Sequence, residues 1–378
     1  MNTYISAIGT AVPDHRIAQR DIAHFMASAL SLNDTEQQRL FALYRASGIR
    51  FRHTVLADYR RTKGFTFFPD TPGLEPFPGI QPRMQVYQRE AIRLSHNAAE
   101  HCLEQLPTLL RSEITHLIYV SCTGMYAPGV DIALVHQLGL STSVQRTAIN
   151  FMGCYAAFNA LKVADSIARA HADAKVLIVC TELCTLHFQK THDEDTLLAN
   201  ALFADGSAAA VVSQDDRLSD VRLSMEQFHC DLAPDGQQEM AWNIGNFGFE
   251  MRLSSYVPKI IRQEIKQLTQ QLLQRLAYAD EEEVLSDPSA RVDYYAVHPG
   301  GKRILRSIEE VLALQPNDNR HAYEVLRNYG NMSSPTILFV LQSLMQELGP
   351  TDHDKQVLGL AFGPGLTLES MLLRVATM

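Results

Sequence analysis

Along the chain, short runs of β-branched and apolar residues alternate with longer stretches whose apolar positions recur every three to four residues. The first pattern marks strands and the second helices. In the first half the pattern predicts strands over 4–8, 116–122, 145–151, 176–181 and 208–213, and helices over 17–31, 131–138 and 155–170. Residues 190–195 read as a loop, and Asp205-Gly206 as the turn before the last of those strands. After a short polar and charged stretch, 214–220, the pattern resumes. It predicts helices over 257–276, 302–314 and 334–348, and strands over 294–298, 357–362 and 370–375. Alternation of this kind predicts parallel strands covered by helices. The repeated element order predicts two similar α/β units, 1–219 and 220–378. Residues 65–84, rich in Pro and Phe, read as an irregular loop.

A length of 378 residues suits two such units, each able to bury a core. The longest apolar runs, such as Val176 to Cys180, are strand length and far too short to span a bilayer. The first residues lack a basic segment leading into an apolar stretch, so a cytoplasmic location is expected. Six cysteines without a CxxC pair fit reduced thiols, so a special cysteine here would be catalytic. A formal charge of −9 argues against nucleic-acid binding, which needs a clustered basic face. Neither a GxGxxG nor a GxxxxGK[ST] segment occurs, and no HExxH; no metal and no bound cofactor is expected.

Three residues could carry chemistry. Cys154, in AINFMGCYAAFNAL, stands between an apolar strand and an Ala-rich helix, where unpaired N–H groups and the helix dipole favour thiolate. An ordinary buried cysteine would fit the same place. His298 ends the strand YYAV at the sheet edge where ligand sites gather, although a structural histidine would also fit. Asn331, in YGNMSSPTILFVL, precedes an apolar helix that it could cap. Taken together, the three stand at junctions that can converge. A thiolate can take an acyl group from a thioester, while a histidine N–H and an asparagine amide hold the developing oxyanion. An ion pair with His298 would lower the pKa of Cys154 further.

MGCYAA, VHPGG, GNMSSPTILFVL and FGPGLTLE resemble the four signature motifs of the chalcone synthase-like, or type III polyketide synthase, family, in the family's order. The ketoacyl-carrier-protein synthase III enzymes share the Cys, His and Asn and form the runner-up, but usually carry glycine where this chain has Pro364. The resemblance implies a thiolase fold, two similar α/β halves in a five-layered αβαβα arrangement. It further implies a homodimeric acyltransferase working on malonyl-CoA and an acyl-CoA starter bound to Cys154. Condensation would be repeated and followed by cyclisation to an alkylpyrone, resorcinol or naphthol-type product.

Further positions follow from the same resemblance. Phe203 and Phe249 match the gatekeeper phenylalanines, and Cys122, Cys184, His187, Met240 and Ser333 the elongation cavity. The chain departs here from plant chalcone synthases, which carry Thr at the first three of these five positions and Gly at that of Met240. Ala127-Pro128 matches a cis turn that reaches into the partner subunit. Lys302 and Arg303, cations that oppose the dipole of the helix they begin, are expected at the CoA entrance, with Arg50 and Arg52 contributing. Pairing of these cations with Glu309 or Glu310 is the alternative.

Overall fold

The computed structural model describes residues 2–233, 236–237, 239–254, 256–274, 292–315 and 317–378. The strands are β1 Tyr4–Ala11, β2 His15–Ala18, β3 Phe51–Thr54, β4 His116–Ser121, β5 Gln145–Asn150, β6 Lys175–Leu183 and β7 Asp205–Ser213. They continue with β8 Val221–Leu232, β9 Met240–Gly245, β10 Gly248–Leu253, β11 Tyr294–Val297, β12 Gln356–Gly363 and β13 Thr367–Thr377. Nine of them form one sheet in the order β11-β12-β13-β8-β1-β7-β6-β4-β5.

The two halves of the sequence occupy the two wings of this sheet and meet where Tyr4 and Ile5 pair with Ser224 and Leu223. Each wing repeats one pattern: a parallel pair (β4 with β6, β11 with β12), then an antiparallel partner (β7, β13), then an antiparallel first strand (β1, β8). The sheet is therefore mixed, against the expectation of parallel strands. Between β12 and β13 only the turn Pro364–Leu366 intervenes, and three residues cannot make the crossover that a parallel pair requires.

Two buried helices lie between the wings. Ala156–Ala170 turns Ala156, Ala160, Ala164 and Ala168 inward at four-residue spacing, a face smooth enough for close approach to strands of both wings. Thr336–Met345 is apolar almost all round, and its first six residues are buried. Outside, helix Ile80–Leu103 covers β1, β6 and β7, and helix Val257–Gln274 covers β8 and β13. With the two wings as its β layers, the stack of helix, wing, helix, wing and helix is the expected αβαβα order.

Several local expectations are corrected. Helix Ile80–Leu103 begins inside the segment expected to be a loop; Pro82 sits in its first turn, where a missing N–H costs nothing. The rest of that segment is well anchored: the Asp58 carboxylate accepts from Thr66, Phe67 and Phe68, and Phe68 stacks on Phe77. Helix Glu194–Leu202 begins within the expected loop 190–195, capped by Asp193 through the Thr196 N–H at 3.0 Å. Residues 275 and 276 of the predicted helix 257–276 lie outside the described residues.

Candidate active site

The nucleophile position is built by a tight turn. After β5 the chain passes Phe151 at φ 58° and Gly153 at φ 77°, makes one 3₁₀ turn, Gly153–Tyr155, and enters helix Ala156–Ala170. Glycine is required at 153 on two counts. Its φ lies in the left-handed region, and a Cβ there would come within 2.8 Å of Pro364 Cγ. The turn Pro364–Leu366 thus forms the seat on which Cys154 rests. At the neighbouring Gly363 a Cβ would crowd the Tyr155 ring.

Cys154 is buried, with Sγ 4.0 Å from Asn331 Oδ1. Asn331 does not cap the following helix, whose N-cap is Pro335. Its Oδ1 instead accepts the Ser333 N–H at 2.8 Å, and its backbone bridges to Phe203 beside β7. His298 follows β11, its backbone N–H donating to Leu360 O at 2.8 Å. Neither of its ring nitrogens has a partner among the described residues. Cys154, His298 and Asn331 line one enclosed cavity together with Phe203 and Met240.

Burial works against the ion pair expected between Cys154 and His298. Burial pushes the Cys154 thiol up to about 12, against lowering by hydrogen bonds from Ser333 and Asn331. Burial also takes His298 down to about 3. Both shifts favour the neutral forms, because taking either charge out of water is costly. A neutral imidazole keeps one N–H and one lone pair, so it can accept the thiol proton and later donate to an oxyanion.

Cys184 and His187 line an adjoining cavity that shares Phe203 with the first. Phe249 lies behind these walls, against Phe151, Trp242 and His187. Cys122 and Ser333 also stand one layer back, their side chains 3.7 Å apart. They belong to a buried cluster around Glu182, which the sequence patterns do not reveal. Glu182 has no cationic partner among the described residues; its carboxylate accepts from the Cys122 N–H at 3.0 Å, Thr123 Oγ1 at 2.7 Å and Ser334 Oγ at 2.6 Å, with the Cys122 and Ser121 side chains at 3.2 and 3.3 Å. Burial raises its pKa against this lowering by donors.

A larger cavity of about 470 Å³ shares Leu253, Gly300 and Ile304 with the Cys154 cavity. Lys302 and Arg303 line it and have no ion-pair partner among the described residues; Glu310 is held by Arg262, and Glu309 by Tyr323 and Asn319. Arg39 and His192 line it too; no sequence motif points to Arg39, because helix Asp34–Ala46 carries none. Two expectations fail at this entrance. Arg52 is buried, with Nε donating to Gln19 Oε1 at 2.8 Å and Nη1 to the carbonyls of Asn200 and Phe203 at 2.8 and 2.6 Å; it braces the chain behind Phe203. Arg50 lines a different cavity. Ala127-Pro128 is cis, and Ala127, Pro128 and half-exposed Met125 lie at the surface. Among the described residues no cluster of potential metal ligands occurs, and no helix is long and apolar enough to cross a membrane.

The structure is thus a mixed α/β stack with a buried cysteine at a strand-to-helix turn, whose cavity adjoins a larger one lined by Lys302 and Arg303. Residues 2–216 match the profile of chalcone and stilbene synthases, N-terminal domain, and residues 223–377 that of the C-terminal domain. "Alpha-pyrone synthesis polyketide synthase-like Pks18" of Mycobacterium tuberculosis is 30% identical over 371 residues, 97% of this chain and 90% of that protein. "Type III polyketide synthase C" of Arabidopsis thaliana is 29% identical over 98% of this chain and 94% of that protein. "Probable polyketide synthase 1" of Dictyostelium discoideum is 29% identical over 99% of this chain, which spans only 11% of that protein. Among solved structures, the C-terminal type III polyketide synthase domain of Steely1 from Dictyostelium superposes with a TM-score of 0.88 at 28% identity, covering 99% of both chains. PKS-I of the brown alga Ectocarpus siliculosus gives 0.88 at 26% identity, covering 99% of this chain and 98% of that one. The chain belongs to the chalcone and stilbene synthase family: it is a type III polyketide synthase, an acyltransferase of a family that uses CoA thioesters.

Proposed function

We propose that the protein condenses malonyl-CoA repeatedly onto an acyl-CoA starter held on Cys154, and then cyclises the product. The observation that carries this reading is the convergence of Cys154, His298 and Asn331 on one buried cavity, beside a larger cavity lined by Lys302 and Arg303. The cations hold the CoA phosphates at the mouth. As Cys154 attacks the starter thioester, His298 takes its proton, the C–S bond to CoA breaks and CoA leaves as the thiol. Malonyl-CoA then loses carbon dioxide. The enolate so formed attacks the Cys154 thioester, forming a C–C bond and freeing the Cys154 sulfur. His298 N–H and the Asn331 amide stabilise the enolate and the tetrahedral oxyanion, and decarboxylation makes the carbanion without a strong base.

Met240 in the cavity wall leaves less room than a glycine would, and the alpha-pyrone named for the mycobacterial relative supports a pyrone product for this chain. The family profiles, breaking between 216 and 223, support units 1–219 and 220–378. A homodimer is supported by β5, an exposed edge strand, and by the exposed Met125–Pro128 turn. Mass spectrometry of products from malonyl-CoA with a series of acyl-CoA starters, short to long, tests the activity; free acids without any C–C bonded product would refute it.

A further inference from the structure

Helix Asp34–Ala46 walls two cavities. Arg39, Leu43 and Ala46 face the tunnel mouth, while Phe41, Tyr44 and Arg45 border a separate cavity of about 580 Å³ that shares no lining residue with it. Arg20 and His24 enter this second cavity from helix Gln19–Ala29, and Arg50 with Phe51 from the start of β3.

Its charge runs against that of the chain. The protein carries −9, yet none of the residues lining this cavity is acidic and three are arginines. Arg45 and Arg50 make no ion pair among the described residues, and Arg20 meets only its exposed neighbour Asp21, at 3.2 Å. Arg16 and Arg50 also crowd one ring, their guanidinium carbons 3.5 and 5.1 Å from the Phe51 centroid. Like charges gathered around one concavity repel, and an anion placed among them relieves that repulsion. Guanidinium forks match phosphate oxygens two at a time. A lone carboxylate would satisfy one fork, whereas a chain of phosphates reaches several. The volume falls within the roughly 300–1,000 Å³ of small-molecule sites, and half-buried Phe41 with His24, centroids 4.7 Å apart, offers ring surface beside the cations.

We propose that this cavity binds a nucleoside di- or triphosphate, with the phosphates on Arg20, Arg45 and Arg50 and the base beside Phe41 and His24. The site is independent of the condensing reaction and of the tunnel mouth. Calorimetric titration of ATP, ADP and inorganic pyrophosphate into the full chain tests it, using wild type, K302E/R303E and R45E/R50E. Expected are one ATP per chain for wild type and K302E/R303E alike, and binding at least about tenfold weaker for R45E/R50E. R45A/R50A, with melting checked against wild type, shows the same direction if folding is intact. Equal ATP affinity in R45E/R50E would overturn the proposal. So would loss of binding in K302E/R303E alone, which would place the nucleotide at the tunnel mouth, or polyglutamate binding more tightly than ATP, which would mark an acidic-protein surface instead.

Discussion

The imidazole of His187 lies face to face with the ring of Phe249, centroids 4.3 Å apart and planes 5° from parallel, while its Nδ1 accepts the Phe249 backbone N–H at 2.9 Å. Nε2–H donates to Thr123 O at 2.7 Å, so both ring nitrogens are committed and the tautomer is fixed. His187, expected in the cavity wall, is also the strut that sets the position of Phe249.

Burial takes both His187 and His298 down to about 3, from the usual value near 6.5. A histidine with a depressed native pKa favours folding fully above pH 6.5, and that contribution is lost as pH falls from 6.5 toward 3, by up to about 1.4 kcal/mol per unit for each ring. His187→Phe keeps the stacking, removes one of the two titrations and leaves two backbone groups unpaired. It should lower stability near pH 7 by about 1–3 kcal/mol and flatten the decline between pH 6.5 and 4. Urea midpoints across that range measure both; a wild-type slope in the variant would exclude His187 as a source.

A neutral thiol at rest has a kinetic signature. With Cys154 pushed up to about 12, the thiolate fraction grows about tenfold per pH unit, and iodoacetamide inactivation should follow with a log-linear slope near one from pH 6 to 9. A rate independent of pH from about 5.5 upward would mean a thiolate–imidazolium pair instead.

Cys154→Ala should abolish polyketide formation yet retain some release of carbon dioxide from malonyl-CoA, since His298 and Asn331 still face the cavity. His298→Ala should lose both. Products with new C–C bonds from Cys154→Ala would remove the nucleophile assignment.

Charge reversal at Lys302 and Arg303 should raise KM for malonyl-CoA and make it less sensitive to salt, while turnover at saturation stays near wild type. Initial-rate kinetics at two ionic strengths decide it, and an unchanged KM would place the phosphates elsewhere.

Asp substitutions at Met125 and Ala127 should shift the protein from dimer to monomer at micromolar concentration, as seen by sedimentation, if that surface turn meets a second copy. A monomeric wild type would dispose of the dimer altogether.

Strand and helix patterns around Cys154 and His298 were legible in the sequence because each segment buries a regular apolar face, as the alanines of helix Ala156–Ala170 do. Helix Asp34–Ala46 escaped notice because only Leu40 and Tyr44 of its thirteen residues are buried. Glu182 was invisible for a different reason: Thr123 and Ser334, its donors, are far from it in sequence, and no local motif records such a meeting. The effect of burial on Cys154 is not legible locally: the dipole is a property of the turn itself, whereas burial is imposed by residues as distant as Phe203, His298, Asn331 and Phe362.

The seat that Pro364 gives to Gly153 also orders events in time. Ribosomal synthesis delivers Cys154 long before Pro364, so the turn carrying the thiol has no floor until β12 and β13 have emerged and docked in mid-sheet. A nascent chain that stops before that hairpin therefore lacks both the floor under Gly153 and Phe362, which lines the Cys154 cavity.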